Sequence, residues 1–269
     1  MKSHLLWTIL TIFVGFSSFS SSFSQSMEQE GLKIAIENEK ANNGFIGESS
    51  EMEMILEDAH GTKITRKMKG KILETKGDGD KSISQFLLPS DVKGTMMLTW
   101  THKNKDDDQW LFLPSIKRTK RISSSNKSAS FMGSEFSYED LGSQEVEKYT
   151  HKLIKEEKNK DGLEFWVMER VPTHKKSGYK RLKVWMAKKF RSPRKIEYYD
   201  RKNELLKVST FSGSKTFKVG NKTLYRPSKI HVINVQTGKK STILWTKRKL
   251  GVPFDEEDFE KDSLIDQDF

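Results

Sequence analysis

The feature that most constrains this chain is a long series of short segments in which apolar and polar residues alternate. In the first of them, Met52, Met54 and Leu56 share one face, and glutamates occupy most of the opposite positions. A period of two is typical of a half-buried β-strand. Turns containing Gly, Asn or Asp separate successive segments and leave no room for crossover helices. We therefore predict a mainly β protein built from antiparallel meanders.

The alternation predicts about a dozen strands. They cover residues 51–57, 64–72, 83–88, 95–102, 109–113, 117–123, 149–155, 163–171, 179–188, 195–200, 205–218, 224–236 and 241–250. So many strands in one flat sheet would leave long exposed edges, and the natural twist of a sheet draws them into a curve. We expect a strongly curved antiparallel sheet or incomplete β-barrel. A barrel of this width needs a plug, a helix or a ligand to fill it.

The N-terminus predicts an export signal and then a helix. Lys2 precedes an apolar run over residues 5–16, and Ser22 and Ser24 place small residues at −3 and −1 before Gln25. This pattern predicts a signal peptide over residues 1–24, cleaved near Ser24/Gln25, with an apolar run too short to span a membrane. Residues 27–42 predict a helix that ends at an Asn-Asn-Gly stop and lies against the sheet. Residues 25–269 are expected to form a single domain.

Composition narrows the classes of function. The chain has no cysteine, which excludes disulfides, a lipid-modified cysteine and Cys-based zinc sites. The net charge is +11, although the tail 255–269 holds eight acidic residues and one lysine. A basic body suits an anionic partner such as a membrane surface, an acidic protein or its own tail, with solubility alone as the alternative. Nucleic acid is not expected as a partner of an exported chain.

Catalytic patterns are absent from the sequence. Its six histidines are scattered, and neither H-E-x-x-H nor G-x-S-x-G occurs. Residues 78–82 begin like a calcium loop, but Ile83 stands where a glycine is needed and Pro89 where a glutamate is needed. We therefore predict a protein that is not an enzyme and that uses no metal and no cofactor.

Three stretches carry a family resemblance. Residues 110–115 are WLFLPS, residues 117–122 are KRTKRI and residues 131–141 are FMGSEFSYEDL. With these stretches the chain resembles the outer membrane lipoprotein-sorting-like family, which is related to the LolA and LolB carriers. The signal, the helix, the β meander and the segment 253–259 fit as well, so the resemblance covers most of the mature chain.

The resemblance implies an incomplete antiparallel barrel with short lid helices over an apolar cavity, which in the carriers takes lipoprotein acyl chains. It implies a monomeric periplasmic carrier for lipid or lipoprotein acyl chains. An inner-membrane transporter or outer-membrane acceptor would be its partner. The alternative is a periplasmic accessory subunit of a membrane export pump or envelope assembly complex, docking through the basic body and the acidic tail.

Flexible and aromatic apolar residues are the candidates for lining such a cavity, since methionine adapts to mobile acyl chains. Ordinary core packing is the alternative for each of them. The cavity candidates are Met52, Met54, Leu98, Trp100, Phe112, Phe165, Val167, Val184, Met186 and Trp245.

The segment after residue 113 offers two further groups of candidates. Four side chains in or near a Ser- and Gly-rich loop predict a lid or docking surface, or alternatively a loop that tucks its aromatic rings onto the sheet. These are Phe131, Met132, Phe136 and Tyr138. A basic cluster could contact a phosphate or lipid headgroup, or protect an edge strand by its charge. It consists of Lys117, Arg118, Lys120 and Arg121.

Overall fold

The structure, a computed structural model, describes residues 17–264, with side chains described from residue 25 onward. Most of the predicted signal peptide, residues 1–16, lies outside the described residues. The N-terminal helix α1 (Ser17–Asn42) begins upstream of the predicted cleavage point and ends where the sequence predicts. No helix in the described part of the chain combines the length and the apolar character needed to cross a membrane.

Fifteen strands follow α1 among the described residues. In the first half they are β1 (Gly47–Glu57), β2 (Lys63–Leu73), β3 (Lys81–Leu88), β4 (Met96–Trp100), β5 (Asp108–Leu113) and β6 (Arg118–Ile122). In the second half they are β7 (Tyr149–Lys158), β8 (Glu164–Pro172), β9 (Tyr179–Ala187), β10 (Ser192–Asp200), β11 (Leu205–Ser212), β12 (Lys215–Val219), β13 (Lys222–Arg226), β14 (Lys229–Asn234) and β15 (Lys240–Leu250). Short 3-10 turns lie at Pro114–Ile116, Tyr138–Asp140, Val146–Lys148, Glu256–Phe259 and Asp262–Leu264.

Thirteen of the described strands form one antiparallel sheet in the order β6-β5-β4-β3-β2-β1-β15-β14-β11-β10-β9-β8-β7. Strands that are adjacent in this sheet are consecutive in the sequence, with two exceptions. At the centre β1 pairs with β15, and β11 pairs with β14. The two ends, β6 and β7, do not pair with each other in the described structure. The predicted mainly β fold, an antiparallel sheet that stops short of a closed barrel, is therefore confirmed.

Two of the predicted strands are each divided in the structure. The predicted strand 205–218 becomes β11 and β12, because Gly213 turns the backbone with a φ of 64°. The predicted strand 224–236 becomes β13 and β14 on either side of Pro227, which has no N–H to donate to a ladder. As a result, β12 and β13 leave the large sheet and form a separate two-stranded hairpin.

The sheet buries apolar side chains on both faces. The inner face carries Met54, Phe86 and Met97, and the loop residue Phe131 packs into this cluster. On the outer face, Leu98 packs with the C-terminal Phe259. Because successive strand residues point to opposite faces, the neighbours Met97 and Leu98 enter different clusters. The loop thus covers the inner face and the C-terminal segment covers the outer one.

The first part of the acidic tail is fixed to the chain itself. Phe259 and Leu264 are fully buried, and the indole N–H of Trp100 donates a hydrogen bond of 2.7 Å to the Phe259 carbonyl. Lys81 pairs with Glu256 at 2.7 Å. The tail is therefore part of the folded domain as far as residue 264.

Helix α1 packs on the edge strand β7. Ile34 and Ala35 are buried against Val146 and Met168, whereas Leu32 is 44% exposed. Gly31 lies so close to β7 that a Cβ there would stand 2.7 Å from the backbone nitrogen of Leu153. The predicted contact of the helix with the sheet is therefore present.

Candidate functional site

A cavity of about 1000 Å³ lies on the inner face of the second half of the sheet. Its apolar floor comes from Met186 on β9, Ile196 on β10, Phe211 on β11 and Ile230 on β14. Antiparallel pairing sets this floor, because Phe211 stands directly opposite Ile230 and opposed residues point to the same face. Its wall and roof are lined by the C-terminal half of α1 and the segment 136–146.

The segment that borders the cavity is anchored by a buried ion pair. Asp140 accepts a hydrogen bond of 2.6 Å from the ammonium of Lys207 on β11 and another of 2.9 Å from the Tyr179 hydroxyl. The side chains of Lys207 and Asp140 are only 5% and 10% exposed. The Lys207 ammonium also donates to the Glu135 carbonyl at 2.8 Å. These contacts fix the loop to the inner face.

Three buried polar side chains line the cavity with unsatisfied atoms. Arg170 on β8 stands directly opposite His151 on β7, and Asn38 lies on α1, which covers β7. Arg170 Nε, His151 Nδ1 and both amide atoms of Asn38 find no hydrogen-bond partner among the described residues. The three residues are 8%, 5% and 4% exposed, respectively. Buried polar atoms normally have partners, so this end of the cavity is built for polar contacts that the chain does not make.

The protonation of His151 is set by its surroundings. Burial lowers the pKa of His151 to about 4, so the imidazole is neutral at neutral pH. Its Nε2 lies 2.9 Å from the Val146 carbonyl oxygen. Because a carbonyl oxygen can only accept a hydrogen bond, Nε2 carries the proton of the neutral ring. Nδ1 is consequently an acceptor. The cavity thus contains a cationic donor from Arg170 beside a neutral acceptor from His151.

Three other basic side chains that line the cavity have acidic partners. Lys103 pairs with Glu39 at 3.1 Å, and Arg226 pairs with Glu48 at 3.6 Å. Arg191 lies 3.5 Å from Glu37. These pairs neutralise charge around the cavity mouth.

One carboxylate cluster has the spacing of a metal site. Glu39, Glu145 and Glu147 each place an oxygen within 4.8 Å of the others. The Lys103 ammonium lies 3.1, 3.7 and 3.8 Å from these same three carboxylates. The Lys103 ammonium therefore offsets part of the negative charge of this cluster.

The structure distributes the ten predicted cavity residues over both faces of the sheet. Met52, Met54, Val184, Met186 and Trp245 lie on the inner face, where Met186 lines the cavity. Met54 and Val184 are 1% and 0% exposed within packed clusters. The outer-face members, which the sheet separates from the cavity, are Leu98, Trp100, Phe112, Phe165 and Val167.

The predicted lid residues are tucked against the sheet. Phe131 is 1% exposed, and its ring centroid lies 5.8 Å from that of Phe86 and 5.7 Å from that of Tyr138. Met132 packs beside this cluster, and Phe136 lines the cavity. The observed arrangement matches the alternative interpretation, in which the loop places its aromatic rings on the sheet.

The predicted headgroup residues lie on the surface at the end of the sheet. Lys117, Arg118, Lys120 and Arg121 are all exposed, on or next to the edge strand β6. Arg121 forms an ion pair with Asp108. None of the four is among the residues that line the cavity.

Arg170, His151 and Asn38 were missed by sequence reasoning. The signal for Arg170 is its position in β8, where alternation places it on the same face as the buried Met168. An arginine on an inward-facing strand position is unusual enough to mark a site. Nothing in the sequence indicates that residue 38 lines the same cavity as residues 151 and 170.

Solved structures of other proteins share the fold of this chain. A LolA superfamily protein from Nitrosomonas europaea, 18% identical, superposes with a TM-score of 0.67 over 87% of this chain and 98% of that one. A DUF1329 family protein from Desulfovibrio piger, 28% identical, gives a TM-score of 0.81 over 88% and 99%. The large open sheet with a helix and loop on its inner face is therefore a LolA-like fold.

The family itself follows from the sequence-level matches. A domain from Vibrio parahaemolyticus, described as an outer membrane lipoprotein-sorting protein domain, is 43% identical with a TM-score of 0.84 over 88% of this chain and 99% of that one. A family model described as "Uncharacterized protein" matches residues 78–266. No curated protein matches the chain. The chain belongs to the outer membrane lipoprotein-sorting-like family.

Proposed function

We propose that this protein is a periplasmic carrier that binds an acyl chain, from a lipid or from a lipoprotein, in the inner-face cavity. The observation that carries the proposal is the cavity of about 1000 Å³ with its floor of Met186, Ile196, Phe211 and Ile230. Its volume is at the upper end of the range for small-molecule sites, about 300–1000 Å³. The family and the fold support a carrier role.

Burial of the acyl chain would supply the affinity. Each buried methylene contributes about 0.8 kcal/mol, so a sixteen-carbon chain contributes on the order of 10 kcal/mol before ordering costs. Met186 can adjust its rotamer to a mobile chain. Such a carrier acts by binding and release, without a catalytic step or a cofactor. Differences in affinity between an inner-membrane transporter, the carrier and an outer-membrane acceptor would drive transfer.

The competing role is an accessory subunit of an export pump or envelope assembly that docks through the basic body and the acidic tail. Phe259 and Leu264 hold that segment in the outer-face core. Docking through this segment would leave the inner-face cavity without a role, so we favour the carrier role.

Filling the cavity tests the proposal. In Ile230→Trp, the larger side chain occupies space above the floor, and we expect lipid that co-purifies with the wild type to be lost in native mass spectrometry. Ile64→Trp is the matched control, because Ile64 is 53% exposed and does not line the cavity. The wild type and the control should carry the same lipid. Absence of lipid from the wild type, and no binding of added palmitate, would refute the carrier role.

A further inference from the structure

Arg170 is a buried cation for which the described part of the chain supplies no carboxylate. It is 8% exposed, it forms no ion pair within 4.0 Å among the described residues, and its Nε is unsatisfied. The ionisable groups that act on it are the hydroxyls of Tyr149 and Tyr198 and the imidazole of His151, and all three are neutral at neutral pH. The guanidinium stays protonated despite burial, so the charge is real.

An isolated buried charge is costly unless a counter-charge and hydrogen bonds compensate it. The neighbouring basic residues show the usual solution, since Lys103, Arg226 and Lys207 each contact a carboxylate. Arg170 differs in lining a cavity large enough to admit a ligand while having no carboxylate partner among the described residues. The compensation that the chain lacks can therefore come from a bound anion.

Two further residues with unsatisfied polar atoms line the same cavity as Arg170. The Asn38 amide offers an unsatisfied donor and an unsatisfied acceptor, and His151 Nδ1 offers an acceptor. The two donors, from Arg170 and Asn38, suit the oxygens of a carboxylate or phosphate. The acceptor on His151 suits a hydroxyl or amide N–H on the same headgroup. The apolar floor begins next to this site, since Ile196 and Met186 line the same cavity.

We infer that the ligand is an anionic amphiphile whose carboxylate or phosphate is bound by Arg170, with Asn38 and His151 as further contacts, while its acyl chain lies over the apolar floor. The inference rests on the proposed function and specifies its ligand class. It also assigns an internal headgroup site, distinct from the surface basic cluster Lys117, Arg118, Lys120 and Arg121.

Three probes with the same chain length separate the possibilities. Palmitate carries a carboxylate, palmitoyl lysophosphatidic acid carries a phosphate and a hydroxyl, and 1-hexadecanol is neutral. Equilibrium binding to the full-length protein would be measured by calorimetry at pH 8, where palmitate is ionised. We expect the wild type to prefer at least one anionic probe over hexadecanol by roughly tenfold or more, as for a hydrogen-bonded charge. The anion that shows the larger preference identifies the headgroup source.

The variant Arg170→Met should lose this preference and keep its affinity for hexadecanol. Arg201→Met is the matched control, because Arg201 is exposed at a hairpin turn and its loss changes the net charge equally. Retained hexadecanol binding reports that Arg170→Met is folded. If that variant does not fold, the preference of the wild type among the three probes still decides the question.

The two proposals fail in different ways. If the wild type binds hexadecanol as tightly as both anions, or if Arg170→Met keeps the anion preference, the headgroup site is refuted and the acyl-chain cavity stands. If none of the three probes binds, the carrier role itself fails.

Discussion

At the scale of single residues, buried charges fix the strands that carry the cavity. Glu48 on β1 lies 2.7 Å from Arg248 on β15 and 3.6 Å from Arg226 on β13. The side chains of Glu48 and Arg248 are 5% and 7% exposed, so water screens this pair little. One carboxylate therefore compensates two guanidinium groups where the halves of the sheet meet.

The first prediction concerns this carboxylate. Glu48→Gln leaves the buried guanidinium of Arg248 and the partly buried one of Arg226 without this counter-charge, and we expect the free energy of unfolding to fall by about 3–5 kcal/mol. On the same strand, Glu51 pairs with Lys247 at the surface, so Glu51→Gln should cost under about 1 kcal/mol. Urea unfolding of both variants measures the difference. Equal stabilities for the two variants would contradict the assignment.

The second prediction concerns Asp80 at the cavity wall. Burial, and then the nearby carboxylate of Glu145, raise the pKa of Asp80 to about 7. Folding therefore favours the protonated acid, and this contribution to stability is lost as the pH rises through 7. We expect wild-type stability to fall by on the order of 2–3 kcal/mol between pH 5 and pH 8 through this group.

The variant Asp80→Asn isolates the effect. An asparagine keeps an oxygen to accept from the Thr75 backbone N–H, which lies 3.3 Å from Asp80 Oδ1. It carries no titrating proton. The stability of Asp80→Asn relative to the wild type should therefore rise between pH 5 and pH 8 in urea titrations. A difference that does not change with pH would show that Asp80 ionises normally.

At the scale of elements, the cavity depends on how closely α1 approaches β7. Gly31 permits the approach, since its α-carbon faces the backbone of Lys152 and Leu153 without an intervening side chain. The buried Ile34 and Ala35 then reach Val146 and Met168. Asn38 and Asn42, about one and two helical turns after Ile34, line the cavity. The position of the helix thus determines the roof.

The third prediction sets helix propensity against packing. Alanine is favoured over glycine in a helix by about 1 kcal/mol, but a Cβ at residue 31 would lie 2.7 Å from backbone atoms of β7. Because backbone cannot move aside easily, we expect Gly31→Ala to destabilise the protein by about 1–3 kcal/mol. Gln29→Ala, at an exposed position of α1, should change stability little. A more stable Gly31→Ala in thermal unfolding would place α1 farther from β7.

At the scale of the whole molecule, an open sheet must protect its free edges. The edge strand β6 carries Arg118 and Lys120, both exposed, while Arg121 is paired with Asp108. Charged side chains on an edge oppose pairing with a second copy. Since these residues lie away from the cavity lining, edge protection explains them without a headgroup.

The fourth prediction tests this explanation. In Arg118→Thr/Lys120→Thr, a neutral, β-favouring edge replaces a charged one, and sedimentation velocity should show concentration-dependent self-association. Lys180→Thr/Arg201→Thr removes the same charge at exposed positions away from β6 and should leave sedimentation unchanged. If the two double variants behave alike, the charges on β6 do not act as edge protection.

The sequence by itself determined the local structure of this protein. Alternation, turn residues and the Asn-Asn-Gly stop depend on neighbours in the chain, so they predict the antiparallel strands and the end of α1. The tertiary structure alone decided which face of each strand lines the cavity, because the tail covers one face and the loop and α1 cover the other. Met97 and Leu98 look equivalent in the sequence. In the structure, Met97 lies in the cluster that contains Phe131, and Leu98 lies in the cluster that contains Phe259. Arg170 and His151 face each other across neighbouring strands, whereas only tertiary packing brings Asn38 of α1 to the same cavity.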